Sequence, residues 1–407
     1  MTLRGESSRS VHSGEKDRQF GDAVTTAVFQ TSTFRFRDSA EVQEYQEGRL
    51  RRDEYGRYGN PTWRAAELKL ADLEGAGNAV LFASGMCAVT TSLLALLDGR
   101  SHLILSHECY RRTRQFCEEY LARFGVETTF IDPCDLDSLR GAIRDQTAVF
   151  FTEVPTNPHL RVIDLPEAAR IARQRGVLVI VDATFSTPCN FRPLDHGADL
   201  IIHSATKYLG GHNDLLAGVV AGPAKTIEQV RKAAGVLGGV TTAQNAYLLL
   251  RGLKTLSLRM QRHNENGLRI ARMLEAHPKV RRVFYPGLES HQDHGTASRI
   301  MSGFGGVVTF EIDGAFEEAV RFVDMCRIPY IAPSFGGVES LIEMPALMSY
   351  WDCDRGRREE FGIPDSLVRL SCGIEDAEDL EEDLKQALES SVRSADVRNN
   401  STQSHRT

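Results

Sequence analysis

Between residues 78 and 222 the chain repeats one rhythm, a short run of β-branched and apolar residues followed by a longer stretch with apolar residues at helical spacing. The strand candidates are residues 79–83, 102–106, 127–131, 148–153, 178–182, 200–203 and 218–221. Several are apolar on both faces, as expected of strands in a parallel sheet covered on each side by helices. The helical stretch at 165–175 follows Asp164, a residue suited to capping a first turn. This alternation predicts an α/β domain built on a mostly parallel seven-stranded sheet with helices on both faces.

After Gly222 the rhythm changes to helices at 243–253 and 267–276 and strands at 280–285, 306–312, 329–332 and 367–371. A smaller α+β C-terminal domain is expected there. The chain divides into a polar N-terminal arm (1–60), an α/β domain (61–260), the α+β domain (261–393) and a polar tail (394–407) expected to be disordered.

Composition removes several classes of function. A net charge of −7 over 407 residues leaves no basic excess to neutralise a nucleic-acid backbone. No apolar window approaches the ~18 residues of a membrane span, and the first twenty residues lack the apolar centre of a secretory signal. A cytoplasmic chain without membrane or nucleic-acid partners is expected. The eight cysteines are scattered with no CxxC pair, which reads as reduced thiols. His291 and His294 stand at metal-like spacing, but with no third ligand in view no metal site is expected.

The most informative segment is Val179-Ile-Val-Asp182, followed 25 positions on by Lys207 at the end of His203-Ser-Ala-Thr-Lys. An acid ending one buried strand and a lysine just past the next both project at the carboxyl edge of the sheet, where open α/β sheets bind ligands. Each alone has a plain structural explanation, a turn cap or a solvated lysine. Together they suit one chemistry. A partly buried lysine joins the aldehyde of pyridoxal phosphate, and a buried carboxylate keeps a proton on the ring nitrogen. Ala83-Ser-Gly-Met86, between a strand and an apolar helix, offers the amides of Gly85 and Met86 as an anion site, with Ser204 and Thr206 as further donors.

The segments YGRYGNPT (55–62), SGM (84–86), TEVPTNP (152–158), SATKYLGGHND (204–214) and LVRLSCGIED (367–376) together resemble the Cys/Met-metabolism family of pyridoxal phosphate enzymes, which has the fold-type I transferase architecture. Within the family, CYRRTR (109–114), IPYIAPSFGG (328–337) and MSYWD (348–352) look most like the plant-type cystathionine γ-synthases. The resemblance implies that Lys207 is the Schiff-base lysine and proton shuttle, Asp182 the partner of the pyridine nitrogen, and Tyr110 the ring-stacking residue that shares proton transfer. It places Asn157 near the ring hydroxyl, and Gly85, Met86, Ser204 and Thr206 at the phosphate. Tyr55 and Arg57 would reach the neighbouring subunit's phosphate, so that a homodimer is the minimal active unit and a homotetramer the expected assembly. Arg369, helped by Ser334, would grip the substrate carboxylate.

The family carries out elimination and replacement with nearly the same residues. Pro333 before Ser334 favours a synthase over a lyase, which by resemblance carries a glutamate there. Arg111 and Arg112 stand where many relatives have glycines, and Arg112 is a candidate for an acidic leaving group, with a solvated basic turn as the equal alternative. The expected reaction is γ-replacement on an O-phospho-, O-succinyl- or O-acetyl-homoserine by cysteine to give cystathionine. The alternatives are γ-elimination, as in cystathionine or methionine γ-lyases, a related reaction on an unusual γ-substituted amino acid, or a binding protein that has lost catalysis. Cys372, where relatives carry an aromatic, is a candidate for reshaping the pocket near Arg369.

Overall fold

The computed structural model describes residues 5–15 and 22–390. The tail at 394–407 and residues 16–21 of the expected arm lie outside them.

The strands are β1 (Asn78–Phe82), β2 (His102–Ser106), β3 (Glu127–Ile131), β4 (Thr147–Glu153), β5 (Leu178–Asp182), β6 (Leu200–Ser204) and β7 (Gly218–Gly222). They form one seven-stranded sheet in the order β1-β7-β6-β5-β4-β2-β3. β7 runs antiparallel to both its neighbours, and the remaining pairs are parallel. Period-2 alternation sorts the side chains: Phe150, Val179 and Val181 pack with Leu165, Ala168 and Ile171 on one face. Phe151, Ile180 and Ile202 pack with Val89, Leu93, Ile227 and Val230 on the other. Each such side chain, fully buried, contributes about 1.5–3 kcal/mol, so the double-sided core fixes the register of the strands that carry the site.

The connecting helices begin where side chains cap them. Asn60 accepts from the Thr62 N–H ahead of the helix Pro61–Glu74, which Gly75 closes at φ 68°. Ser84 accepts from the Cys87 N–H at the start of the helix Gly85–Leu96, and Asp164 does the same for Glu167 in the helix Leu165–Arg173.

The second sheet holds β8 (Val280–Phe284), β9 (Val307–Ile312), β10 (Tyr330–Ile331), β11 (Leu341–Glu343) and β12 (Leu367–Ser371), ordered β10-β11-β12-β9-β8. β11 is absent from the sequence-based reading because three residues after Gly-Gly-Val-Glu-Ser carry too little pattern to separate a strand from a turn. The helix predicted from residue 267 spans Leu256–Glu275. Its early turns bury Arg259, His263 and Asn266 at helical spacing, and these bind carbonyls: Arg259 those of Tyr208 and Gly252, His263 that of Cys372, and Asn266 those of Gly373 and Glu375. A buried stripe made of polar residues escapes a search for apolar periodicity.

Part of the N-terminal stretch is fastened to its own subunit. Lys69, fully buried on the helix Pro61–Glu74, donates to the Ser10 and Val11 carbonyls at 2.8 and 3.0 Å and to Glu15 at 2.5 Å. The helix Ser39–Gln46 buries no residue.

Candidate active site

Three neighbouring strands end at one edge of the large sheet and deliver acids and hydroxyls there. Glu153 closes β4 and stands in register with Asp182, which closes β5. Ser204 closes β6, and Lys207 follows in the turn that leaves it. The spacing of Asp182 and Lys207 along the chain is thus converted into adjacency by parallel pairing of β5 and β6.

The Lys207 amine donates to Ser334 Oγ at 2.6 Å and lies 5.2 Å from the centre of the Phe335 ring. Burial, reinforced by the Arg369 charge and opposed by Glu343, brings its pKa down to about 8. A large fraction is therefore the neutral nucleophile near pH 8. Ser334 sits at φ 99°, a conformation uncommon outside glycine, so its hydroxyl is held in place by a strained backbone.

Asp182 accepts the Thr184 N–H at 2.9 Å and the Thr184 hydroxyl. Burial pushes its carboxyl above the ordinary value, against the Thr184 hydrogen bonds and the His203 charge. Burial and the neighbouring Asp182 charge push Glu153 up as well. Two buried carboxyls side by side call for a cation, and a protonated ring nitrogen against Asp182 is such a partner. Glu153 Oε1 also accepts the Tyr110 N–H at 2.5 Å, which fixes the start of the helix Arg111–Gln115. Tyr110 is 46% exposed, free to lie against a planar ligand.

At the head of the helix Gly85–Leu96, Ser84 takes the Cys87 N–H through its hydroxyl and the Ala88 N–H through its carbonyl. The N–H groups of Gly85 and Met86 have no acceptor among the described residues, as at an anion-binding helix terminus. Gly85 packs so closely on β6 that a Cβ there would lie 2.7 Å from Ser204 Cβ. A side chain at 85 would fill the cradle. The residues present thus fit pyridoxal phosphate at three points: the amine of Lys207, the acid of Asp182 and the open amides at Gly85 and Met86. Thr206 is differently engaged, with its hydroxyl shared between the Ala217 carbonyl and N–H at 3.3 and 3.1 Å.

Arg369, central in β12 and buried, donates to Asn157 Oδ1 at 3.0 Å and to the Ser334 carbonyl at 3.2 Å, and its guanidinium meets Glu343 at 2.5 Å. It joins Asn157, Ser334 and, through Ser334, Lys207 in one cluster. Tyr55 and Arg57 are not part of it within the single chain. Tyr55 bridges to Thr33, while Arg57 donates to the Gly235 carbonyl and stacks 4.7 Å over Tyr58.

Arg112 is exposed and donates to Gln115 at 2.6 Å. Its neighbour Arg111 turns to the segment after β11, donating to the Ser349 carbonyl at 2.7 Å and pairing with Asp352. Cys372 does not reach the pocket: its side chain belongs to the core packed around Tyr208 and Leu370. An odd spacing of three from Arg369 along an extended strand turns the two side chains to opposite faces. His291 and His294 turn ring nitrogens to the carbonyls of His159 and Pro286.

Glu153, Glu343 and Phe335 are site residues that the sequence-based reading passed over. A signal was present for Glu153, set at the end of the mostly apolar run AVFFTE, where an acid implies a buried partner.

A parallel sheet with a lysine and an acid at its carboxyl edge beside an open helix terminus defines a pyridoxal phosphate enzyme of the fold-type I class. The sequence profile of the Cys/Met metabolism PLP-dependent enzymes matches residues 7–389, and the chain belongs to that family. It is 50% identical over 390 residues to a chloroplastic cystathionine γ-synthase 1 of Arabidopsis thaliana, covering 95% of this chain and 69% of that one. It is 40% identical to a cystathionine γ-lyase of Bacillus subtilis, over 93% of this chain and 98% of the relative. Among solved structures, metB from Corynebacterium glutamicum superposes with a TM-score of 0.89 at 35% identity, over 95% of this chain and 98% of that one.

Proposed function

We propose that the protein catalyses γ-replacement on an activated homoserine ester, O-phospho-, O-succinyl- or O-acetyl-homoserine, with cysteine as nucleophile and cystathionine as product. The observation that carries this reading is the link Lys207–Ser334–Arg369, which sets a proton-transferring amine one residue away from a carboxylate anchor. When bound, pyridoxal phosphate supplies an aldehyde for the substrate amine and a ring that stores the electrons released at Cα.

The protein's own residues do the remainder. Arg369 fixes the α-carboxylate by a planar two-pronged contact, so that the side chain of the substrate extends past Lys207. Lys207, in large part neutral near pH 8, takes protons from substrate carbon and returns them after the ester group has left Cγ and the thiolate sulfur has bonded there. Asp182 holds the proton at the ring nitrogen, and Gly85, Met86 and Ser204 hold the phosphate, with Thr206 turned to Ala217 instead. Asn157 orients Arg369. Synthesis is favoured over lysis because Pro333-Ser334 offers no carboxylate for the distal ammonium of cystathionine, and Glu343 is committed to Arg369. The greater identity to a synthase than to a lyase, 50% against 40%, supports the same choice.

The same reading makes the active unit a dimer, with Tyr55 and Arg57 serving the partner's phosphate and dimers pairing into tetramers. Its support is an apolar surface out of keeping with a lone subunit: Tyr55, Tyr58, Val236 and Leu237 are 42%, 47%, 83% and 53% exposed. Light scattering on the purified protein tests it, with a monomeric mass as the contrary result. The arm at 1–60 and the division at 260 belong to this proposal. No helix among the described residues is long and apolar enough to cross a membrane. Eight free thiols suit a reducing compartment, and we place the protein in the cytoplasm, which cell fractionation checks. The reaction is tested by incubating the holoenzyme with each ester and cysteine and identifying the amino-acid product.

A further inference from the structure

The geometry points to Glu343 as the internal counter-ion of Arg369, a positioning residue that fixes the guanidinium in the site and screens its charge from Lys207. The antiparallel pairing of β11 with β12 places Glu343 directly opposite Arg369, so the ion pair at 2.5 Å follows from strand register. Both side chains are buried, 2% and 6% exposed. Among the described residues neither carboxylate oxygen of Glu343 has an aligned hydrogen-bond donor. A buried acid kept for packing would be expected to collect such donors, whereas this one is offset chiefly by the charge of Arg369.

Among the described residues, the groups around the pair are uncharged apart from Lys207. On the far side of Arg369, β9 contributes Thr309, whose buried hydroxyl is unpartnered. The loop after β4 contributes the uncharged Asn157, and the segment after β10 contributes the Ser334 carbonyl and the Phe335 ring, 5.7 Å from the guanidinium. Lys207 faces Ser334 and the same ring, with Arg369 and Glu343 as the charges that act on it. With Glu343 neutralised, Arg369 would act on Lys207 unscreened and disfavour a positive charge there.

The inference rests on Lys207 as the cofactor lysine and is independent of which ester is the donor. It is tested by recording the pH midpoint at which the visible absorption band of the full-length holoenzyme changes, in the wild type, Glu343→Gln and Glu343→Asp. Loss of the charge in Glu343→Gln lowers the midpoint by roughly half to one pH unit. Glu343→Asp, which draws the charge back by one methylene, lowers it by less. A merely structural role predicts the opposite sign, because loosened packing admits water and relieves the burial that depresses Lys207. A midpoint unchanged or raised in Glu343→Gln overturns the proposal. If that variant does not fold, Glu343→Asp decides by the same signs. A wild-type holoenzyme preparation with no visible band would instead overturn the lysine assignment, and this inference with it.

Discussion

Lys207, in the turn after β6, and Arg369, on β12 of the second sheet, meet through one residue: Ser334 accepts from the lysine amine with its hydroxyl and from the arginine with its carbonyl. Ser334 does so at φ 99°, where a serine is strained. Replacing it by glycine relieves strain of about 1–3 kcal/mol and removes the hydroxyl. Ser334→Gly should raise the melting temperature while lowering turnover, and Ser334→Ala should lower turnover with no gain in stability. Thermal unfolding and steady-state kinetics on the two variants read this directly.

The depressed lysine sets a pH dependence. In the cofactor-free protein the Lys207 amine loses its proton around pH 8, below the ordinary lysine value, so cofactor capture should quicken as pH rises through about 8. The sign for stability is the same. Between the folded and unfolded pKa values the unfolded chain binds more protons, so this group's contribution to stability rises with pH across that window and is constant below it. Stopped-flow capture of pyridoxal phosphate between pH 6.5 and 9.5 checks the first, and a rate falling with pH would contradict it.

Gly85→Ala puts a methyl carbon 2.7 Å from Ser204 Cβ at the mouth of the phosphate cradle. Overpacking of this kind costs about 1–3 kcal/mol, and where it falls on the bound state the cofactor dissociation constant should rise by roughly fivefold to a hundredfold. Inorganic phosphate, tested as a competitor of cofactor binding, should weaken in parallel.

Arg111 and Arg112 separate by what they touch. Arg111→Ala loses the Ser349 carbonyl and Asp352, and should loosen the segment 345–354 against the Tyr110 helix, seen as faster proteolysis there. Arg112→Ala loses only Gln115 among these contacts. It should leave stability unchanged and raise KM for acidic donors far more than for neutral ones. Equal effects on both donor types would assign Arg112 to the solvated surface.

The large sheet was readable because its strands are local apolar runs separated by helical stretches, and Asp182 and Lys207 inherit their places from it. Arg369 was readable through its motif, but its partner was not. Glu343 lies on a three-residue strand whose existence depends on pairing with β12, a contact that no local pattern encodes. The buried polar stripe of Arg259, His263 and Asn266 was hidden for a related reason, since its partners are carbonyls of distant turns. Cys372 shows the limit of proximity along a chain: three residues from Arg369, it faces the opposite side of the strand and fills core.

Replacement at Cγ by cysteine through Lys207 is checked by a product assay with the holoenzyme. O-phospho-, O-succinyl- and O-acetyl-homoserine are supplied in turn, each with and without cysteine, using the Lys207→Ala variant as control. The account predicts cystathionine as the main product of at least one ester when cysteine is present, with none formed by the variant. Oxobutyrate as the main product irrespective of cysteine, or turnover retained by Lys207→Ala, would contradict it.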